Sequence, residues 1–155
     1  MESLRLRICL AEDLPRSLSG LDIAGLEEEE TALRKPGILV VDDERVLADT
    51  TAAVLRGAGY NAKTAYDGYD ALEIIRTFHP DYVLTDIMMP AMNGLELAIT
   101  IRKTYPRTRV LLFSGQAGIA DILEDSRTRG YEFPLLAKPV HPTQLIEKLR
   151  SLKSN

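Results

Sequence analysis

Cysteine occurs once in this chain, at Cys9. Neither an internal disulfide framework nor a multi-cysteine zinc site can form, and a reducing, cytoplasmic setting is expected. No apolar stretch approaches the roughly 20 residues that cross a bilayer, and Glu2, Arg5 and Arg7 interrupt the place where a secretory signal needs its apolar core. An excess of positive charge is missing too: the net charge is -4, and the acidic and basic residues of 36–155 nearly cancel. That balance carries no footprint for nucleic acid, and no membrane partner is expected. Histidine is scarce, since His79 and His141 each stand beside a proline without an i, i+4 companion. Both read as solvated loop residues rather than metal ligands.

What the chain does have is enough apolar material for one core. Its 155 residues are 45% hydrophobic, too few for two ordinary domains. The division expected is an extension over 1–35 and a domain over 36–155. Pro15, the stretch Ser17-Leu18-Ser19-Gly20 and the glutamate run at 27–30 mark the extension, which reads as flexible or loosely docked because charge-rich segments with few bulky apolar side chains cannot offset their ordering entropy. Leu4, Leu6, Ile8 and Leu10 alternate in the manner of a short strand, and 26–33 has the spacing of a short helix. The glutamate run is a solvated face. Cys9, with only Arg7 beside it, packs or idles rather than reacts.

After Lys35-Pro36-Gly37 the pattern becomes regular. Short apolar runs suited to buried parallel strands occur at 38–41, 82–85, 110–113 and 135–137, with a weaker strand over 60–65. Helical spacing fills the intervals, as in Ala71, Leu72, Ile75 and Phe78, or Leu145, Ile146, Leu149 and Leu152. Gly57 with Gly59, Pro80, Pro106 and Gly130 stop the first four helices, and Pro142 suits the first turn of the fifth. Strands alternating with helices five times predict a doubly wound α/β fold with a parallel sheet, of flavodoxin-like order 2-1-3-4-5 and helices on both faces. In such sheets the functional crevice lies beyond the carboxyl ends of the strands, where the first and third strands diverge.

The residues at those ends are chemically capable. Asp42-Asp43 follow the first strand, Asp86 the third, Ser114 the fourth and Lys138 the fifth. Any one alone is usually turn or capping chemistry; together, at one edge of a sheet, they make a site. Three carboxylates gathered there repel one another by several kcal/mol at about 4 Å and an effective dielectric near 20. Such a cluster calls for a cation, and all-oxygen ligands in a small site favour Mg²⁺ over Ca²⁺. Asp86 is the candidate nucleophile, able to form an acyl phosphate, with Lys138 and the Ser114 hydroxyl holding the remaining phosphoryl oxygens.

Over roughly residues 37–152 the sequence resembles the response-regulator receivers of two-component signalling. Three motifs carry the resemblance: ILVVDDERV, DYVLTDIMMPAMNGLEL, and LLFSGQA followed by LLAKPVHP. It implies that Asp86 is the phosphoacceptor and that Asp43 and Asp86 ligate Mg²⁺ together with the Met88 backbone carbonyl, Asp42 supporting the ion less directly. It also implies that Ser114 and Lys138 contact the phosphoryl group, that Lys138-Pro139 is a cis peptide, and that a histidine kinase or histidine phosphotransfer protein is the donor. The module would catalyse only its own phosphorylation and dephosphorylation. Its readout would pass through the fourth helix, fifth strand and fifth helix to a downstream protein, or to a second copy on phosphorylation. A stand-alone receiver is expected, since no output domain is recognisable after Leu152. Two departures stand out: Leu135 occupies the position where receivers commonly carry Tyr or Phe, so that Tyr131 or Phe133 could replace the ring only through a changed register, and the segment between Ser114 and Lys138 is about two residues longer than in short receivers. Met88 and Asn93 also stand where side chains vary with phosphoryl lifetime or where Asp is frequent.

Three rival functions are weaker. A haloacid-dehalogenase-type phosphohydrolase wants Asp-x-Asp after its first strand, whereas Asp42 and Asp43 are adjacent. A nucleotide or flavin module needs a Gly-rich phosphate turn there, and Asp-Asp-Glu-Arg would repel phosphate. A degenerate receiver acting as a phosphorylation-independent docking module is favoured by Leu135 alone.

Overall fold

The computed structural model describes residues 34–115 and 119–153. The short strand and helix expected before residue 34, the glutamate run and Cys9 all lie outside the described residues. Five strands alternate with five helices: β1 (Gly37–Val41), α1 (Arg45–Gly57), β2 (Asn61–Ala65), α2 (Gly68–Phe78), β3 (Tyr82–Asp86), α3 (Gly94–Thr104), β4 (Arg109–Ser114), α4 (Ile119–Thr128), β5 (Leu135–Ala137) and α5 (Pro142–Lys153). The sheet is parallel in the order β2-β1-β3-β4-β5, as the alternation predicts. Among the described residues no helix is long and apolar enough to cross a membrane.

Alternation along the buried strands divides the core in two. Leu39 and Val41 of β1 pack with Ala71 and Ile75 of α2 and with Leu95, Ala98 and Ile101 of α3, while Ile119, Ile122 and Leu123 of α4 border the same cluster. Ile38 and Val40 point the other way, against Ala48, Ala52 and Leu55 of α1 and Leu145 and Leu149 of α5. Three of the helix starts have a local cause. The Asp67 carboxylate accepts from Asp70 N at 2.7 Å and Asn93 Oδ1 from Glu96 N at 2.8 Å, so α2 and α3 begin on side-chain caps. Pro142 opens α5, where a missing N–H is harmless, and His141 Nδ1 accepts from Thr143 N at 3.2 Å. The stops are equally local: Gly59 and Gly130 have φ of +99° and +89°, and exposed His79 ends α2 in the left-handed region at φ 49.

The placement of two residues differs from the sequence reading. Asp86 and Ser114 are the last residues of their strands rather than the first beyond them, because each still has a ladder partner: Asp86 lies opposite Phe113, and Ser114 opposite Ala137. The register of β5 keeps Leu135 in the strand opposite Leu112, which leaves Tyr131 and Phe133 ahead of it. Their rings stack with centroids 6.3 Å apart, under Arg102 and Lys103 from the last turn of α3. That places them toward the opposite edge of the sheet from Ser114.

Candidate functional site

Parallel pairing brings the carboxyl ends of β1, β3, β4 and β5 to one edge. Asp42, Asp43 and Asp86 meet there, with one carboxylate oxygen of each within 4.8 Å of the others. They are unequally placed: Asp42 is wholly buried, Asp86 is 7% exposed, and Asp43 is exposed to solvent. Asp42 Oδ1 accepts from Glu44 N at 3.0 Å, and Asp42 Oδ2 accepts from Lys138 Nζ at 3.1 Å. Lys138 Nζ also donates to Asp86 Oδ2 at 3.2 Å, while Asp86 Oδ1 accepts from Met88 N at 3.3 Å. One ammonium thus bridges two buried carboxylates from different strands.

Burial pushes the Asp86 carboxyl above its ordinary range, against the pull of the Lys138 charge and hydrogen bond; the Asp42 charge adds to the rise. For Lys138, burial would lower the ammonium, but the hydrogen bond to Asp42 and the charges of Asp86 and Asp42 outweigh it and raise the pKa. Three carboxylates facing one ammonium leave negative charge that a hard divalent cation would match, and the donors are all oxygen. A second feature belongs to the same edge. Ser114 Oγ is buried with no hydrogen-bond partner among the described residues, an expense that native interiors avoid unless the group serves something else. The residue after it, Gly115, stands where a Cβ would come within 3.0 Å of the Lys138 Cβ, and the Lys138-Pro139 peptide is cis. The donor set therefore fits a divalent ion, and the orphaned hydroxyl fits an oxyanion beside it.

Comparison with known proteins agrees with this geometry. Residues 38–150 match the family model described as the response regulator receiver domain. This chain belongs to that family. It is 35% identical over 115 residues to TcrX of Mycobacterium tuberculosis, named a probable transcriptional regulatory protein, and that match covers 74% of this chain but only 48% of the relative. Among solved structures it is similar to the chemotaxis protein CheY4 of Vibrio cholerae, at 27% identity and a TM-score of 0.68 over 76% of this chain and 98% of that one. It is also similar to the NtrX receiver domain from Brucella abortus, at 30% identity and a TM-score of 0.65 over 76% and 99% of the two chains.

The receiver's five strand-end residues were legible as a group, because each stands at the end of an apolar run. Two contributors were less so. Gly94 reads in the sequence only as a turn or helix entry, yet a Cβ on it would lie 1.9 Å from the Asp86 carbonyl oxygen. Only glycine lets α3 begin against the end of β3, with Gly94 N donating to Ile87 O at 2.8 Å. Phe113 reads as an ordinary strand residue. In the structure its ring lies under Lys138 Nζ, 4.5 Å from the centroid, a contact between neighbouring strands that no local pattern announces.

Proposed function

We propose that this receiver accepts a phosphoryl group on Asp86 from the phosphohistidine of a histidine kinase or phosphotransfer protein, in the presence of Mg²⁺. The observation that carries this reading is the Asp86 carboxylate, bridged to Asp42 by Lys138 and lying one ladder position from the Ser114 hydroxyl, which is buried and has no hydrogen-bond partner among the described residues. Asp43, Asp86 and the Met88 carbonyl would hold the ion, with buried Asp42 supporting it through its bond to Glu44 N. Bound Mg²⁺ supplies charge neutralisation for the transferring phosphoryl oxygens.

An Asp86 oxygen attacks phosphorus, the bond from phosphorus to the donor imidazole nitrogen breaks, and its electron pair stays on that nitrogen. The Lys138 ammonium and Ser114 hydroxyl then have phosphoryl oxygens to serve, and each is already at the site with little to rearrange. The phosphoryl group carries a charge of about -1.5 to -2 in place of the carboxylate's single charge, and the added negative charge draws the Ser114 hydroxyl toward it. Leu135, half-buried opposite Leu112, gives no ring to follow that movement, so the response passes through α4, β5 and α5 by other contacts. Exposed Val46, in the first turn of α1, and exposed Met88, on the loop that follows β3, offer apolar ground for the donor at the rim of the site. The working unit in this reading is 36–155.

Intact-mass measurement after incubation with acetyl phosphate and Mg²⁺ tests the proposal. One added phosphoryl group, about 80 Da, lost in Asp86→Asn and without metal, is the expected result. An unlabelled wild type, also unmoved by beryllofluoride, would leave a docking module as the better reading.

A further inference from the structure

Lys138 carries its ammonium on a flexible four-carbon stem, and that stem borders open space. A cavity of about 370 Å³ lies beside it, walled by Leu47, Thr51, Phe113, Pro139 and Leu145. Two ion pairs hold Nζ at the strand ends, the bonds to Asp42 and Asp86 at 3.1 and 3.2 Å. The second must change when an Asp86 oxygen becomes bonded to phosphorus. A third contact does not depend on Asp86: the face of the Phe113 ring, 4.5 Å from Nζ. Phe113 is 4% exposed, packed with the α1 and α5 side of the core, and paired across the ladder with Asp86 itself.

We infer that Phe113 is a positioning residue for phosphoryl transfer, whose ring holds the Lys138 ammonium at the strand ends while its carboxylate partner is converted to an acyl phosphate. The assignment rests on the proposed function. An aromatic face attracts an ammonium through its quadrupole, more strongly where water is excluded; a leucine would fill much of the same space without that attraction. The ring does its work on Lys138 alone, so metal binding at Asp42, Asp43 and Asp86 should not feel its loss.

The test compares wild type, Phe113→Leu and Phe113→Trp, the adjoining cavity having room for the larger ring. Phosphorylation rates are measured against acetyl phosphate concentration, Mg²⁺ affinity is measured separately, and the Lys138 side-chain proton shifts are followed by NMR. Phe113→Leu should lower the maximal rate by about three- to tenfold, the range expected for a partly desolvated ring and cation, with Mg²⁺ affinity unchanged. The ring-current shift at Lys138 Cε should collapse in the same variant, and Phe113→Trp should restore both rate and shift. An unchanged rate in Phe113→Leu, or a Phe113→Trp rate no better than leucine's, overturns the inference. Absence of labelling in wild type sinks the function itself and with it the role in transfer. A Lys138 shift insensitive to Phe113→Leu refutes the ring contact independently of any phosphorylation.

Discussion

The two sides of the site are packed very differently. β1 and β3, which bring the carboxylates, are buried at every residue, and α3 behind them buries Gly94, Leu95, Leu97, Ala98, Ile99 and Ile101. On the other side β5 has three residues, none of them fully buried, and over its described length α4 buries only Ser126. That serine is a stitch rather than a core residue, its hydroxyl donating to Tyr131 O at 2.8 Å. Metal ligands and an acceptor need fixed geometry, which close packing on both faces provides. A segment that answers a new charge needs alternatives within a few kcal/mol, and lightly buried elements have them.

The largest way to break this contrast is at Gly94. Gly94→Ala drives a Cβ into the Asp86 carbonyl on the rigid side, and a loss of about 4 kcal/mol or more is expected. Chemical denaturation should show little folded protein; a native-like melt would mean that α3 can retreat and the carboxylate side is not rigid. Lys138→Met comes next. It strands buried Asp42 beside Asp86 without a cation, and about 3 kcal/mol of stability should go. Adding Asp86→Asn should return part of that loss in a double-mutant cycle, since the two share one contact.

A matched pair of truncations sharpens the comparison. Leu97→Ala in α3, where the side chain is fully buried, should lower stability by about 3 kcal/mol, and Leu123→Ala in α4, half-buried, by about 1 kcal/mol. Equal losses in urea titrations would erase the distinction between the sides. The smallest effect has the opposite sign. Because the Asp86 pKa is raised in the fold, the folded state takes up protons before the unfolded chain does, so stability from this group grows as pH falls through the raised range toward the ordinary one. At neutral pH the ionised form is therefore a burden, and Asp86→Asn in metal-free buffer should raise the melting temperature by a few degrees, about 1 kcal/mol. Mg²⁺ should stabilise wild type and do little for this variant. A lower melting temperature for Asp86→Asn without metal would show that the Lys138 bridge outweighs the crowding of Asp42 and Asp86.

The amino-acid sequence determined the alternation of strands and helices, because apolar runs, glycine and proline act on their nearest neighbours. Glycine and proline marked the helix ends at Gly59, Gly130 and Pro142, and the residue at the end of each apolar run pointed to Asp42, Asp43, Asp86, Ser114 and Lys138. Strand order was legible by the same route, since parallel crossovers admit few arrangements. Tertiary structure alone decided what depends on atoms from different strands: that Asp42 is buried and Asp43 exposed, that one ammonium serves both Asp42 and Asp86, that the Ser114 hydroxyl has no hydrogen-bond partner among the described residues, and that Phe113 lies beneath Lys138. It also decided that Leu135 holds its place in β5 while Tyr131 and Phe133 stack under Arg102 and Lys103. These are contacts across long stretches of chain, and their distances are set by how the sheet and its two helical layers pack, which no local pattern of residues encodes.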